Sequence, residues 1–321
     1  MNKLDTVAVA SRSFSQNDRL VKNLQSKYSS VLLNNFGKTL KGDELVEFLM
    51  PATKAIIGIE DLSESVLEKL TKLKVISKYG VGLNNLDLSL LKKRNIRLGF
   101  TPGVNKQSVA ELALTLILIG LKKIHDNSID IMNGNWSQEK GSELYGKNIG
   151  LLGFGNIGQK LASLLRPFNC KITFYDEKNF SKKEIADISS KMNFEPSLIN
   201  QVSLEQVFKE SDILSIHLPL TPETKNIISI VELNKLKKNV CIINTARGGI
   251  VNERDLHIFL SENPSSYAGF DVYKQEPAFD NPLFELKNFF GTSHRSSLTN
   301  EGILSMGMAA INGLDDNISI T

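Results

Sequence analysis

Short apolar runs rich in β-branched residues recur along the chain, and amphipathic helical stretches separate them. Strands of this length that alternate with helices are typical of βαβ units, in which neighbouring strands run parallel. The predicted strands are Thr6–Ala10, Ser30–Leu33, Ala55–Ile59, Lys74–Ser77, Ile96–Phe100, Ile149–Leu152, Ile172–Tyr175, Ile213–His217, Val240–Asn244, Ala268–Val272 and Phe289–Gly291. The pattern therefore predicts an α/β fold built on parallel sheets.

A breaker cluster, Thr101-Pro102-Gly103, ends the first group of strands. A long helical pattern follows from about Lys106 to Met132, and the second group of strands begins only after it. We therefore predict two α/β units with a boundary near residue 101. Since folds of this class serve many functions, the loops rather than the sheets must decide the activity.

The composition limits the possible partners. The chain has 321 residues, of which 41% are hydrophobic, enough for two sizeable cores. Lys and Arg number 38 against 35 Asp and Glu, so the net charge is +3. A nucleic-acid-binding protein normally shows a marked basic excess, and we therefore expect no nucleic acid partner.

Cysteine usage and the apolar runs indicate the compartment. Cys170 and Cys241 are too few for a disulfide framework or a zinc cluster, and they suggest buried thiols in a reducing environment. The longest apolar run, Leu112 to Leu121, holds ten residues, about half of a membrane span. The N-terminus lacks the apolar core of a secretory signal. We predict a cytoplasmic protein with no membrane contact and no metal.

A glycine-rich motif follows the strand Ile149–Leu152. It is Gly153-Phe154-Gly155-Asn156-Ile157-Gly158, a G-x-G-x-x-G sequence, and the stretch Gln159–Leu165 after it has a helical pattern. In this context the first glycine permits a tight turn, the second lets a pyrophosphate approach the backbone, and the third allows close packing of helix on strand. The alternative is a purely structural turn. The flanking strand and helix favour a dinucleotide site.

The next strand ends at Asp176, eighteen residues after Gly158. An acid at this place accepts hydrogen bonds from the ribose hydroxyls and repels a 2′-phosphate. Glu177 and Lys178 follow, so no arginine stands beside it. The sequence predicts NAD rather than NADP as the cofactor.

Polar residues also follow later strands. Arg247 lies between a buried strand and two glycines, where its planar fork suits a carboxylate, although a surface arginine in a glycine turn is the alternative. His294 is the best acid/base candidate of the four histidines, and Glu276 beside it would stabilise its charged form and fix its tautomer. His217 ends a strand and either lines a cofactor cleft or simply terminates the strand. Together Arg247, Glu276 and His294 supply a cation, a partner carboxylate and a proton acceptor, which hydride transfer between NAD and a 2-hydroxy acid requires.

At this point a family resemblance emerges, because an ordered series of motifs covers nearly the whole chain. The series is Lys78-Tyr79-Gly80-Val81-Gly82-Leu83-Asn84-Asn85, Thr101-Pro102-Gly103 with Val109-Ala110-Glu111, Trp136 ahead of Leu144-Tyr145-Gly146-Lys147, the Gly153–Gly158 motif with Asp176, Ser211-Asp212, His217-Leu218-Pro219-Leu220-Thr221-Pro222-Glu223-Thr224, Asn244–Gly249, Asp271, Glu276-Pro277 and His294. The chain resembles the D-isomer-specific 2-hydroxyacid dehydrogenases, and within them the short phosphoglycerate dehydrogenase-like branch.

The resemblance implies catalytic roles for Arg247, Glu276 and His294. It also implies that backbone N–H groups of the loop with Val81 and Gly82 help Arg247 and His294 to hold the substrate, and Lys78 is a further candidate contact. The expected cofactor contacts are Gly153, Gly155, Asn156, Ile157, Gly158, Asp176, His217, Leu218, Pro219, Thr245, Ala246 and Asp271.

The domain organisation implied by the resemblance is discontinuous. A substrate domain of residues 1–101 and 293–321 would hold both chain ends, and an NAD-binding Rossmann domain of residues 102–292 would be inserted into it. Both would be Rossmann/flavodoxin-like parallel-sheet domains, separated by a cleft. Family members are usually dimers through the NAD domain, and the apolar helix from Lys106 suits such an interface, so we expect a homodimer.

The chain departs from the family pattern in three respects. Asn84 stands where many relatives have aspartate, and the histidine lies in Thr292-Ser293-His294-Arg295-Ser296-Ser297 rather than in Thr-Pro-His-x-Gly or Ala. We expect Ser296 to alter the fit around the nicotinamide and Arg295 to add a cation. The chain stops at Thr321, so we expect no C-terminal regulatory extension.

The substrate itself stays open at this stage. Lys78, Arg295 and Lys106 are cations that suit a substrate phosphate, whereas Gly58-Ile59-Glu60-Asp61 is acidic where an arginine would help. The prediction is interconversion of 3-phosphoglycerate and phosphohydroxypyruvate, with glyoxylate or hydroxypyruvate reduction as the alternative. A non-catalytic NAD-sensing corepressor-like protein is a second alternative. Formate dehydrogenase-like chemistry is disfavoured, because those relatives carry glutamine where Glu276 stands.

Overall fold

The computed structural model describes residues 5–83 and 85–320, so Asn84 lies outside the described residues. The strands are β1 (Thr6–Val9), β2 (Ser30–Leu33), β3 (Lys54–Ile57), β4 (Val75–Lys78), β5 (Arg97–Gly99), β6 (Asn148–Leu152), β7 (Lys171–Tyr175), β8 (Ile199–Gln201), β9 (Ile213–Ile216), β10 (Cys241–Asn244), β11 (Tyr267–Phe270) and β12 (Phe289–Gly291).

The α-helices are α1 (Arg12–Ser15), α2 (Asp18–Lys27), α3 (Gly42–Leu49), α4 (Glu64–Lys69), α5 (Leu88–Lys93), α6 (Lys106–Leu121), α7 (Ile124–Met132), α8 (Asn156–Leu165), α9 (Lys182–Lys191), α10 (Leu204–Glu210), α11 (Ile230–Leu233), α12 (Glu253–Glu262) and α13 (Asn300–Gly313). Short 3₁₀ helices span Arg166–Phe168, Pro196–Leu198 and Pro282–Glu285.

The chain divides into two compact units. One is Met1–Asn105 with Thr299–Thr321, and the other is Lys106–Leu298. We call them the terminal unit and the inserted unit. The sequence-based boundaries lie at 101/102 and 292/293, whereas the structure divides the chain where α6 begins and just before α13.

The terminal unit contains a five-stranded sheet in the order β2-β1-β3-β4-β5, and every strand pair is parallel. This is the flavodoxin-like strand order. Successive residues of β1 point to opposite faces: Val7 and Val9 pack in a cluster with residues of α2 and α13, whereas Ala8 packs with residues of α3, α4 and α5. Lys54 pairs with Asp315 at 2.8 Å, which ties the C-terminal segment to the sheet.

The inserted unit contains a seven-stranded parallel sheet in the order β12-β11-β10-β9-β6-β7-β8. The strand order reverses between β6 and β9, which is where ligands bind in doubly wound sheets, outside the carboxyl ends of the strands. One buried cluster joins the sheet to α6 and α8, and the other joins it to α10 and α12. The predicted fold class, two parallel-sheet α/β units, is confirmed.

Two details differ from the prediction. β8 was absent from the predicted strands, because only Ile199 of its three residues is buried and the apolar signal is too short. The predicted helix from Lys106 to Met132 is two helices, α6 and α7, since Lys123 adopts a left-handed conformation with φ of 52°. The carbonyl of Leu121 instead accepts a bond from Ser142 N–H at 2.7 Å.

Both cysteines, Cys170 and Cys241, are buried and free. In the described part of the chain, every helix is too short or too polar to span a lipid bilayer. A cytoplasmic location stays a prediction.

Candidate active site

The glycine-rich loop connects β6 to α8, and each glycine has its own structural reason. Gly153 has φ of +94°, and a Cβ there would lie 2.7 Å from the His217 carbonyl oxygen. A Cβ on Gly158 would lie 2.4 Å from the Gly153 carbonyl oxygen, so helix and loop pack too closely for any side chain. A Cβ on Gly155 would meet nothing within 4 Å. Open space therefore lies beside the N-terminus of α8, where unpaired N–H groups favour a phosphate anion.

Asp176 follows β7 and fixes its carboxylate against this loop. One carboxylate oxygen accepts a hydrogen bond from Phe154 N–H at 2.7 Å, and the other accepts from Lys178 N–H at 3.0 Å. Each oxygen keeps a further acceptor position, as the two ribose hydroxyls of a dinucleotide require. The residues of the loop thus suit the cofactor predicted from the sequence.

His217 directly follows β9 and lies next to the glycine loop. Its Nε2 lies 3.0 Å from Ser215 Oγ, while its Nδ1 is buried and has no hydrogen-bonding partner among the described residues. Burial lowers the pKa of His217 to about 3, so the ring is neutral. Leu218 is buried after it, and the carbonyl of Pro219 accepts a bond from Thr224. The His217 ring lies beside the glycine loop, since a Cβ on Gly158 would lie 3.7 Å from its Cδ2. Its contact with a cofactor stays a prediction.

The loop after β10 turns sharply around Asn244. The Asn244 side chain accepts a hydrogen bond from Ala246 N–H at 3.1 Å and donates to the Arg247 carbonyl at 3.1 Å. A Cβ on Gly248 would collide with the backbone of Tyr273 at 1.9 Å, so only glycine fits there. Thr245 Oγ1 is another buried atom without a hydrogen-bonding partner in the described chain. The turn leaves the Arg247 side chain partly buried.

Burial and the charge of Glu276 have opposite effects on the Arg247 side chain. Burial lowers the pKa of the Arg247 guanidinium, and the Glu276 carboxylate opposes this by favouring the charged form. One guanidinium N–H also donates to the Ala246 carbonyl at 2.7 Å. The partly buried guanidinium is a cation whose planar shape suits it to bind a carboxylate.

Glu276 and His294 form a direct pair. Glu276 Oε2 lies 2.7 Å from His294 Nδ1, and its Oε1 accepts a bond from Tyr273 N–H at 3.0 Å. An ionised carboxylate only accepts, so Nδ1 carries the proton and Nε2 of the neutral ring is an acceptor. About half of the His294 side chain is exposed (47%), which leaves that nitrogen accessible.

Asp271 is completely buried and holds the loop that carries His294. Its Oδ1 accepts from Thr292 Oγ1 at 2.5 Å and from Arg295 N–H at 2.8 Å, and its Oδ2 accepts from Ser296 N–H at 2.8 Å. Its carbonyl accepts from His294 N–H at 2.8 Å. His294 itself has φ of 50°, a conformation that non-glycine residues rarely adopt and that the surrounding bonds must enforce. Asp271 therefore positions the histidine, besides the cofactor contact predicted for it.

In the terminal unit, Lys78 lies at the end of β4 and is almost fully buried. Its ammonium donates to the Gly58 carbonyl and to Asn85 Oδ1, the latter at 2.6 Å. Asn85 donates to the Glu60 carbonyl at 2.6 Å, and the Glu60 carboxylate accepts from Gly58 N–H at 2.7 Å. Glu60 is therefore turned into the protein instead of forming an acidic surface. The loop after β4 contains Gly80, with φ of 122°, and then Val81 and Gly82.

The inserted unit thus brings together Arg247, Glu276, His294 and Asp271, and separately the glycine loop with Asp176 and His217. Lys78, Val81 and Gly82 belong to the terminal unit, and their substrate contacts stay predictions. Asn244 and Thr292 also position this site, and neither role was predicted from the sequence. Asn244 ends a predicted strand and Thr292 directly follows one, and this location could have indicated both residues.

Comparison with known proteins identifies the family to which the chain belongs. The sequence profile of the D-isomer specific 2-hydroxyacid dehydrogenase, NAD binding domain, matches residues 114–296, more than half of the chain. The chain belongs to the D-isomer-specific 2-hydroxyacid dehydrogenase family. Members of this family are NAD-dependent oxidoreductases, and the matched region covers most of the inserted unit.

Among its relatives, a D-3-phosphoglycerate dehydrogenase of Methanocaldococcus jannaschii is 34% identical over 84% of this chain and 50% of its own length. The chain thus spans about half of that relative. A hydroxypyruvate reductase of Thermotoga maritima is 33% identical over 88% of this chain and 90% of its own.

Among solved structures, the NAD⁺-bound 3-phosphoglycerate dehydrogenase of Entamoeba histolytica has a TM-score of 0.77 and 25% identity, covering 96% of this chain and 93% of that one.

Proposed function

We propose that this 2-hydroxyacid dehydrogenase interconverts a D-2-hydroxy acid and its 2-keto acid, with Arg247, Glu276 and His294 as the catalytic residues. The observation that supports the proposal is the 2.7 Å pair of Glu276 and His294, together with an Arg247 guanidinium whose charged form the Glu276 carboxylate favours. It joins a carboxylate-binding cation to an oriented proton acceptor. Hydride transfer from C2 of a 2-hydroxy acid requires the cation to bind the neighbouring carboxylate and the proton acceptor to take the hydroxyl proton.

In the oxidation direction, NAD supplies the acceptor for the hydride that leaves C2 of the substrate. His294 Nε2 accepts the hydroxyl proton, because Nδ1–H is already donated to Glu276. The ring becomes positively charged, and the Glu276 carboxylate stabilises that charge. In the reverse direction the protonated ring gives its proton to the developing hydroxyl oxygen.

Arg247 would bind the substrate carboxylate through two parallel N–H···O bonds. Its position depends on the Asn244-bracketed turn and on Gly248, for which no larger residue fits. For the cofactor, the open space at Gly155 suits the pyrophosphate and Asp176 suits the ribose hydroxyls. The unpartnered buried atoms of His217 and Thr245 are polar groups that a bound ligand would satisfy.

For the substrate, 3-phosphoglycerate and phosphohydroxypyruvate are our first candidates. Arg295 is exposed directly after His294, and no hydrogen bond or ion pair engages its guanidinium in the described part of the chain. Its backbone is anchored on Asp271, so the cation stays close to the catalytic histidine. Hydroxypyruvate is the second candidate, since the T. maritima hydroxypyruvate reductase matches this chain over 90% of its own length.

The test is NADH oxidation with phosphohydroxypyruvate, hydroxypyruvate, glyoxylate and pyruvate. We expect turnover with at least one acid, and the highest kcat/KM with phosphohydroxypyruvate. Arg295→Ala should raise KM for the phosphorylated acid about tenfold and leave that for glyoxylate unchanged, whereas Arg254→Ala, another exposed arginine, should change neither. No turnover with any acid would contradict the proposal and favour an NAD-sensing binding protein.

We also propose a homodimer formed through the inserted unit. In α7 no residue is buried, and Ile124, Ile131 and Met132 expose between about half and three-quarters of their surface. Trp136 beside the helix is 81% exposed. Four large apolar side chains exposed within thirteen residues of chain support a protein interface at this segment. Light scattering should give twice the monomer mass, and Met132→Asp with Ile131→Asp should reduce it to that of the monomer.

A further inference from the structure

The loop of residues 176–180, which joins β7 to α9, borders a cavity of about 580 Å³. The cavity wall includes Tyr175, Asp176, Asn179, Phe180 and Gln201. Asp176, the proposed partner of the ribose hydroxyls, is the first residue of this loop. The conformation of the loop therefore determines the position of the Asp176 carboxylate, which we propose distinguishes NAD from NADP.

Gln201 forms hydrogen bonds with the first, middle and last residues of this loop. It is the last residue of β8, which pairs with β7, and its side chain turns towards the loop. Its Oε1 accepts from Phe180 N–H at 2.8 Å, and its Nε2 donates to the Lys178 carbonyl at 2.8 Å and to the Asp176 carbonyl at 3.3 Å. One acceptor and both donors of the amide are thus used, and the partners allow only this orientation of the amide.

The hydrogen bonds of Gln201 continue into those of Asp176. Both backbone polar groups of Lys178 are bonded. Its N–H donates to the Asp176 carboxylate, and its carbonyl accepts from the Gln201 side chain. The second oxygen of Asp176 bonds Phe154 N–H in the glycine loop. A change that frees the Lys178 carbonyl therefore also loosens one of the two bonds that orient the carboxylate.

The nearest cation of the loop is already engaged. The Lys178 ammonium pairs with Glu184 at 2.8 Å and lies 4.7 Å from the centre of the Phe180 ring. Glu184 is held in turn by a capping box with Ser181 at the start of α9. A 2′-phosphate would therefore meet a fixed carboxylate, while the adjacent lysine is paired.

We propose that Gln201 is a positioning residue that sets the preference for NAD over NADP by holding the 176–180 loop. The inference rests on the proposed contact between Asp176 and the adenosine ribose. Without Gln201 the loop relaxes, and the Asp176 carboxylate loses the fixed orientation in which it accepts from the ribose hydroxyls and repels a 2′-phosphate. Binding of NADH then weakens and binding of NADPH improves or stays equal.

The experiment measures the dissociation constants of NADH and NADPH by calorimetry for the whole protein and its variants. Gln201→Ala and the uncharged, similarly sized Gln201→Met remove all three bonds, and we expect each to lower the NADPH-to-NADH ratio of dissociation constants about tenfold. Gln206→Ala is the matched control, because Gln206 is exposed and its side-chain amide donates to Glu210 at 2.8 Å instead of to the 176–180 loop. It should leave the ratio unchanged.

A double variant tests whether Gln201 acts through Asp176. In an Asp176→Ala background, Gln201→Met should change the ratio less than twofold, since the carboxylate that it positions is gone. Equal weakening of both cofactors in Gln201→Met, or additive effects in the double variant, would overturn the inference while leaving the proposed function intact. Absence of NADH binding by the unmodified protein would overturn both.

Discussion

The carboxyl ends of the two parallel sheets differ in how their polar groups are satisfied. In the terminal unit, Lys78, Asn85 and Glu60 bond one another and the Gly58 backbone. In the inserted unit, the ring of His294 is bonded through Nδ1, and the carboxylate of Asp176 accepts one bond at each oxygen. His294 Nε2 has no hydrogen bond in the described part of the chain, and each oxygen of Asp176 keeps an acceptor position.

This difference shows how two similar sheets come to serve different purposes. Polar groups that bond one another hold a loop in place. A polar group that is oriented by some of its hydrogen-bonding positions can still bind a ligand through the others. The sheet supplies only the edge where such groups meet. Substitutions at the two edges should therefore fall into two classes, one that lowers stability and one that lowers binding or turnover.

The largest effect is expected at His294. His294→Ala should lower turnover by about 10²–10⁴-fold, because it removes the proton acceptor, while NADH affinity stays within about twofold. His294→Asn is a second variant suited to the left-handed backbone at this position. Steady-state assays and calorimetry provide the measurement, with His257→Ala on α12 as the control. A His294 variant with near-normal turnover would remove the proposed role.

Acid should destabilise the inserted unit through His217. Its pKa is about 3 in the folded protein, lowered by burial from the usual 6.5, so the folded state disfavours the charged ring. The associated stability is fully present above pH 6.5 and is lost as the pH falls towards 3. Between roughly pH 7.5 and 4.5, the free energy of unfolding should fall about 2–3 kcal/mol more for the unmodified chain than for His217→Gln. Urea denaturation at both pH values tests this, and equal losses would contradict it.

At the terminal edge, Lys78→Met should cost about 1–2 kcal/mol in the free energy of unfolding, because the Gly58 carbonyl and Asn85 Oδ1 lose a donor. Lys93→Met is the control, since Lys93 is exposed and its ammonium forms a weak 3.7 Å ion pair with Glu64. Denaturation curves of both variants give the comparison. A rise in KM for Lys78→Met without loss of stability would show instead that Lys78 contacts the substrate.

The smallest effect is expected at Asp176. Asp176→Ala should reduce the preference for NADH over NADPH about tenfold, by removing both the hydroxyl acceptor and the repulsion of a 2′-phosphate. Asp187→Ala, an exposed acid on α9, should leave the preference unchanged. The ratio of kcat/KM values for the two cofactors provides the measurement. An unaltered ratio in Asp176→Ala would mean that another group selects the cofactor.

Much of the fold was predictable because buried parallel strands carry a strong apolar signal. Each predicted strand overlaps an observed one, including the edge strand β12. The signal failed for β8, in which one of three residues is buried, and at Lys123, where the apolar pattern continues but the backbone turns. Both failures concern tertiary hydrogen bonding, which local patterns do not encode.

For the candidate site, the residue types and their places at strand ends indicated Arg247, Glu276, His294 and Asp176 before any coordinates. The orientation of these side chains was not predictable. Asp271 holds the His294 loop through three side-chain bonds, and Gln201 holds the Asp176 loop through three more. Such bonds join residues more than twenty positions apart, and they cannot be predicted from the spacing of residues in the sequence.

The sequence by itself determined the parallel α/β class, the family and the glycine loop, because periodicity and a contiguous motif are local properties. Only the tertiary structure decided which polar groups satisfy one another and which keep a free side. That distinction separates the buried Lys78 cluster from the accessible ring of His294. The physical reason is that hydrogen-bond satisfaction depends on distances between loops brought together by the sheet, and the chain order does not specify those distances.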